Sequence, residues 1–347
     1  MATITSQELK RKLDSGPVMI LDVREPFEYV DWHIPGAVNI PVSRVIRNPD
    51  LDAPKDVEIV AVCAHGIRSA AAVRYLSMAG FENVFSLTGG MVEWNGIYDF
   101  VEINGGIVQV RRVGKGCLSY ILSSGGEAVI IDPTIDVDVY MNWAKERDLT
   151  VIAVLDTHAH ADHATGGRVL AKRGIPYYAP EECNARIIKD GDAIDFGSAS
   201  ISAVSAPGHT TGSLAYSIGR FLLTGDTLFV DAVGRPDLGQ NAEENTPILY
   251  DTIQKLLALP GDTIVLPGHS EIDAIRKEVP IKETMEGLKE LDILKKPRGE
   301  FILWISGSRP PPENFEIIRE YNTGKIVIDT IDEFRELEAG ANRCAVR

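Results

Sequence analysis

The sequence predicts an α/β protein of two domains: a parallel sheet flanked by helices, then two sheets with helices on their outer faces. Three observations predict it. The chain has 347 residues, too many for one ordinary core. Its first hundred residues alternate short apolar runs with segments of helical spacing. Beyond residue 106 several apolar runs follow one another, separated by Gly-rich turns, before the alternation resumes.

In the first domain, Pro17–Asp22 reads as a buried strand, a short apolar run behind a Ser-Gly-Pro breaker. Val57–Val62 reads as another. Ser69–Ala79 carries apolar residues at helical spacing, and Gly80 stands where a helix would stop. The pattern changes over residues 97–106, which are expected to be the boundary. Ile107–Val113, Cys117–Ser123 and Ala128–Asp132 follow as strands. Val151–Leu155, Ile201–Val204, Leu214–Ile218, Arg220–Thr224 and Thr263–Leu266 continue the strand series, with Arg168–Arg173 as a helix between them. Lys295–Pro312 is rich in Pro, Gly and Arg and reads as an excursion before a last segment, Phe315–Arg347. The expected division is 1–98, 103–300, and an extension 301–347 packing on the second domain. There is no internal repeat.

Net charge is −15 and the pI about 5.0, which argues against nucleic acid and against an anionic membrane surface. The longest apolar runs, such as Val151–Leu155, are far short of a membrane span, and the N-terminus lacks the apolar stretch of a secretory signal. Four cysteines, at 63, 117, 183 and 344, make no disulfide framework. Reduced thiols in a cytoplasm are expected, with buried packing as the default for Cys117, Cys183 and Cys344. A homo-oligomer is expected.

Two stretches carry chemistry. Cys63-Ala64-His65-Gly66-Ile67-Arg68-Ser69 lies between a strand and a helix. A loop wound onto a helix N-terminus turns backbone N–H groups inward and stabilises a thiolate, or the outer anionic sulfur of a persulfide. Arg68 adds a fixed positive charge. His65 could touch a donor or be loop filler. The second stretch is His158-Ala-His160-Ala-Asp162-His163. His209 follows the strand Ile201–Val204, Asp226 follows Arg220–Thr224 and His269 follows Thr263–Leu266, each in a Gly-His or Gly-Asp pair. Five of the seven histidines therefore sit at strand ends, where side chains from separate strands converge. Imidazole and carboxylate suit zinc, iron or manganese.

On Asp22-Val-Arg24-Glu, His33-Ile-Pro-Gly-Ala37, the loop at 63–69 and Leu87-Thr-Gly-Gly90…Trp94, the first domain resembles the rhodanese family of sulfurtransferases. The resemblance implies that Cys63 takes a sulfane sulfur and passes it on. It implies structural roles for Asp22, Arg24 and His33. The second domain resembles the metallo-β-lactamase superfamily, which implies an αββα sandwich. In that resemblance His158, His160 and His209 match the first metal position. Asp162, His163 and His269 match the second, Asp226 bridges, and Asp132 is a structural acidic position.

Two branches of that superfamily compete. A glyoxalase II-type enzyme is a dinuclear zinc thioester hydrolase. In the persulfide dioxygenase branch one mononuclear Fe(II) is held by two histidines and one carboxylate, here His158, His209 and Asp226. His160, Asp162, His163 and His269 then become surrounding or second-metal positions. Gly234-Arg235-Pro-Asp-Leu238 and the tail Glu336–Val346 resemble the dioxygenases, and Arg235 is implied as a substrate anchor; Leu266-Pro-Gly-His269-Ser departs from their pattern. Fusion to a sulfurtransferase also favours the dioxygenase, because tethering concentrates a shared sulfur species. The implied partners are glutathione persulfide or a similar small persulfide, O2, and thiosulfate or sulfite.

Overall fold

The computed structural model describes residues 2–238, 242–271, 278–305, 311, 314–340 and 343–346. It divides into two compact units, the first essentially Met1–Tyr98 with Arg112–Lys115, the second from Asp99 onward. No helix of the described residues is long and apolar enough to cross a membrane.

The first unit holds a five-stranded parallel sheet, in the order Thr3–Ile4, Asn83–Leu87, Glu58–Val62, Met19–Asp22, Val38–Asn39. The two strands expected from apolar runs are its centre, as runs buried on both faces should be. Ile59, Ala61 and Cys63 face Ala72, Val73 and Leu76 of the helix Ile67–Met78. That helix ends as expected, at Gly80 with φ 89°. The Asp22–Arg24 stretch is a bond network: Arg24 donates twice to Asp22, at 2.6 and 3.0 Å, and to the Trp32 carbonyl.

The second unit is a sandwich of two sheets. One has seven strands, from Arg186–Ile187 through Tyr177–Ala179, Thr150–Leu155, Glu127–Ile131, Leu118–Ser124 and Ile107–Arg112 to Tyr98–Asn104. The other has six, from Ala193–Phe196 through Ala199–Ser205, Leu214–Ile218, Phe221–Gly225 and Ile264–Pro267 to Glu283–Thr284. Alternate residues supply the core between them: Leu118, Tyr120 and Leu122 from one sheet meet Ile201, Ala203, Leu214, Tyr216 and Leu223 from the other. The outward-facing Ala215, Leu222 and Val265 pack against Leu249, Ile253 and Leu256 of the helix Ala242–Leu257.

One expectation needs correction and two gain detail. The stretch expected as a boundary contains the division between the units and also the edge strand Tyr98–Asn104, whose burial is too irregular to announce itself. The expected excursion 295–312 contains the helix Arg298–Ile305, which buries Phe301 and Ile305; residues 306–310 and 312 of that stretch lie outside the described residues. The last segment forms the helices Phe315–Asn322 and Ile331–Leu337, whose Tyr321 and Phe334 pack on Ile135 and Ala164. The tail Glu336–Val346 is described except for residues 341 and 342.

Candidate active sites

In the first unit the strand Glu58–Val62 delivers Cys63 to the mouth of the helix Ile67–Met78, and the thiol is 1% exposed. The N–H groups of Gly66 and Ser69 point at its Sγ, at 3.1 and 3.3 Å, with the Ser69 hydroxyl at 3.4 Å. Loop carbonyls are pulled the other way: the Cys63 and Ala64 carbonyls accept from Met91 N and Val92 N, at 2.9 and 3.2 Å. This explains the Gly-Gly pair at 89–90. A Cβ on Gly90, which has φ 60°, would sit 2.1 Å from the Cys63 carbonyl oxygen. The Ser69 hydroxyl is fixed in turn by the Gly66 carbonyl and Ser86.

Arg68 carries a partner that the sequence reading missed. Its two terminal nitrogens meet the two carboxylate oxygens of Glu28, at 2.6 and 2.7 Å. That guanidinium holds the Glu28 carboxyl below its usual range. His65 and Ile67 lie at the exposed rim, Ile67 at 81%.

In the second unit, His158 follows the strand Thr150–Leu155, His209 follows Ala199–Ser205, and Asp226 follows Phe221–Gly225. Asp226 Oδ2 stands 3.8 Å from His158 Nε2 and 3.7 Å from His209 Nε2. All three donor atoms lie within 4.8 Å of one another. Each is buried without a hydrogen-bond partner. Buried polar atoms left unpaired are costly, so three aimed at one point call for a cation. Two donors each about 2.1 Å from one ion are at most about 4.2 Å apart, so the spacing fits a metal.

The surroundings support that fit. Burial pushes the pKa of both His158 and His209 down, leaving their lone pairs free to bind metal. His209 Nδ1 is bonded to the Arg235 carbonyl at 2.8 Å. His158 Nδ1 is bonded to the Thr157 hydroxyl at 2.9 Å, and that hydroxyl donates to Asp132 at 2.9 Å. Against burial, His269 and His209 draw Asp226 below the usual carboxylate range.

The other positions of the motif are only partly paired, and His160 Nδ1 and His163 Nε2 stay buried without a partner. His160 turns Nε2 toward Asp132, at 3.1 Å, and toward Asp156, at 3.9 Å. Asp162 gathers His163, His269 and Cys117 at 3.1, 2.8 and 3.2 Å. His269 bridges two carboxylates, with Nδ1 2.6 Å from Asp226 Oδ1 and Nε2 2.8 Å from Asp162 Oδ2. Against burial, Asp226 and Asp162 raise its pKa well above the ordinary value. Gly268 is what lets His269 come so close: a Cβ there would be 2.5 Å from Asp226 Oδ1.

Several residues depart from expectation. Cys117 and Cys344 are buried, but their thiols face this site instead of merely filling space. Cys117 groups with Asp162, His163 and His269, and Cys344 with Asp226 and His269. Arg235 pairs twice with Asp237, at 2.7 Å each, so a substrate carboxylate would meet an arginine with an anionic partner in place. Its carbonyl, meanwhile, orients His209. Asn322 was missed: its amide donates to the carbonyls of His160 and His163, at 2.8 Å each. Glu338 was missed likewise, and accepts from Ala164 N at 2.6 Å. Asn322 lies far from any recognisable motif, and Glu338 lies within the tail Glu336–Val346, where its residue type did not single it out.

Residues 5–97 match the family described as Rhodanese-like domain; residues 112–182 and 184–269 match the Metallo-beta-lactamase superfamily. A hydroxyacylglutathione hydrolase of Hamiltonella defensa is 36% identical over 171 residues, 47% of this chain and 66% of that protein. One from Brucella anthropi is 35% identical, over 42% of this chain and 58% of its own length. The chain thus spans two thirds or less of these two hydrolases. An uncharacterized protein of Mycobacterium leprae is 32% identical over 50% of this chain and 94% of its own length. Among solved structures, ETHE1 from Myxococcus xanthus is 28% identical with a TM-score of 0.57, covering 66% of this chain and 99% of that one.

Proposed function

We propose, for a chain that belongs to the metallo-beta-lactamase superfamily and carries a rhodanese-like domain ahead of it, that it is a bifunctional enzyme of sulfur metabolism. Its second domain oxidises a low-molecular-weight persulfide, glutathione persulfide foremost, with O2 and water to give sulfite and the free thiol. Its first domain moves sulfane sulfur between such persulfides, thiosulfate and sulfite through Cys63. The observation that carries the first assignment is the contrast within the histidine cluster. His158, His209 and Asp226 leave three unpaired donors on one point, while Asp162 and His269 are bonded to each other and to their neighbours.

Two imidazoles and one carboxylate suit a single Fe(II) with open positions, where O2 and a persulfide sulfur can be activated side by side. The chain's own residues set up that chemistry. His158 and His209 are kept neutral and aimed by Thr157 and the Arg235 carbonyl. His269 holds the remaining oxygen of Asp226 and keeps a proton between two carboxylates. Burial of the whole cluster excludes bulk water. In the first domain, the sulfane sulfur leaves its donor as Cys63 Sγ attacks. The outer sulfur of the resulting persulfide then passes to the next nucleophile. Inward N–H groups steady the anionic sulfur at each stage.

A second reading is a dinuclear zinc thioester hydrolase. It is favoured by the similarity to hydroxyacylglutathione hydrolases and by His160 Nδ1 and His163 Nε2, two further buried atoms without a partner. Anaerobic metal titration separates the two. One iron per chain is expected, lost in His158→Ala and His209→Ala and retained in His163→Ala. Two zinc per chain, both dependent on His163, would support the hydrolase instead.

A further inference from the structure

We infer that the second unit carries an anion site that shares no residue with the metal motif, built to take a diphosphate group. It is a groove of about 510 Å3 bordered by the helix Gly167–Lys172 and the strands Tyr177–Ala179 and Arg186–Ile187. Its lining includes three cations, Arg168, Lys172 and Arg186, and the Asn184 amide, over a floor of Ile175 and Pro176. No carboxylate lines it. Its size is that of a small-molecule pocket.

The charge balance is what marks it. The chain has 50 acidic and 35 basic residues, so an unpaired cation is easily neutralised. Yet among the described residues none of these three forms an ion pair. A groove of about 450 Å3 in the first unit shows the ordinary alternative. There Arg11 and Lys12 share the lining with Glu8 and Glu58, and Lys12 reaches Glu58 at 2.9 Å. Arg168 and Lys172 are also four residues apart on one helix, where like charges destabilise it. Arg186 lies over the Tyr178 ring, 5.8 Å from its centroid, which leaves its charge unneutralised; local rules broken in this way are expected at binding sites.

Arg168 is held in place before any ligand arrives. It donates to the Cys183 carbonyl at 3.2 Å, and its guanidinium lies 5.9 Å from the Tyr321 ring centroid. A Cβ on Gly324 would press on that guanidinium at 2.7 Å. Lys172 and Arg186 stand exposed on either side. Three cations exceed what a monoanion neutralises, and guanidinium groups match phosphate oxygens in pairs. A diphosphate, free or borne by a nucleotide, supplies that chemistry.

The test is calorimetric titration of the full chain with pyrophosphate, ADP and AMP at physiological salt. The variants are Lys172→Gln/Arg186→Gln and, as control, Arg11→Gln/Lys12→Gln. All four positions lie at the surface, so folding is preserved. Pyrophosphate or ADP is expected to bind at one site per chain, more tightly than AMP. The Lys172/Arg186 variant should weaken it by about tenfold or more, and the control should not. ADP binding well above pyrophosphate would identify a nucleotide as the source. Absence of saturable binding at millimolar ligand would overturn the site, as would equal binding by the Lys172/Arg186 variant or an equal loss in the control.

Discussion

His269 Nδ1 lies 2.6 Å from Asp226 Oδ1, while Asp226 Oδ2 faces the two unpaired imidazole nitrogens of His158 and His209. One carboxylate is thereby divided between a hydrogen bond and a metal position. His269 fixes the rotation of Asp226 through that bond.

Replacing His269 should therefore weaken the metal without removing it. His269→Gln is expected to lower iron affinity by about 10- to 100-fold, the usual effect of losing a partner behind a metal ligand. Asp226→Ala should abolish iron binding. Competition with a chelator measures both. Equal loss in the two variants would make His269 a ligand itself.

Cys63→Ser should abolish thiosulfate:cyanide sulfur transfer and leave O2 uptake on free glutathione persulfide intact. The two proposed chemistries use separate residues, and the N–H groups of Gly66 and Ser69 point at Cys63 Sγ. Parallel assays of the purified variant decide it. Residual transfer at the native rate would refute the thiol assignment.

Glu28 is expected to tune the charge around the proposed sulfur-transfer site. Its carboxylate is bound by Arg68, and that contact lowers its pKa. The pair's contribution is complete above the unfolded carboxylate value of about 4.3 and is lost as pH falls through the lower folded value. Being only partly buried, the pair stabilises the fold by about 1 kcal/mol or less. Its larger effect is on charge. Glu28→Gln should free Arg68 and lower the KM for thiosulfate several-fold, with kcat little changed. A raised KM would show that Glu28 is needed to position Arg68.

Asp156 predicts an opposite pH dependence. Burial raises its pKa from 3.8 to about 6, although Tyr177 donates to it at 2.6 Å. A carboxyl raised in the fold loses stability as pH climbs from its unfolded value toward its folded one. The displacement corresponds to on the order of 3 kcal/mol between about pH 4 and 6. Asp156→Asn should flatten the Tm of the metal-free protein across that window. An unchanged slope would assign the loss to another group.

Much of this was legible because the chemistry sits at strand ends. Val57–Val62 and Val151–Leu155 are apolar runs that only a buried strand explains, and Cys63 and His158 follow them directly. The Gly-His and Gly-Asp pairs announced His209, Asp226 and His269 in the same way. What stayed hidden depends on pairing across long sequence distances. Glu28 meets Arg68 forty residues away, and Asn322 reaches the His160 carbonyl from 162 residues away. Neither residue type is unusual in its own segment. Cys117 looked like core because nothing in its strand points to Asp162. Tyr98–Asn104 looked like a linker because edge strands lack a continuous apolar run.

Oxygen consumption with glutathione persulfide, measured on protein of known iron content, tests the assignment most directly. One iron per chain, O2 uptake matched by sulfite release, and loss of both in Asp226→Ala are predicted. Two zinc per chain with S-lactoylglutathione hydrolysis and no O2 uptake would contradict it.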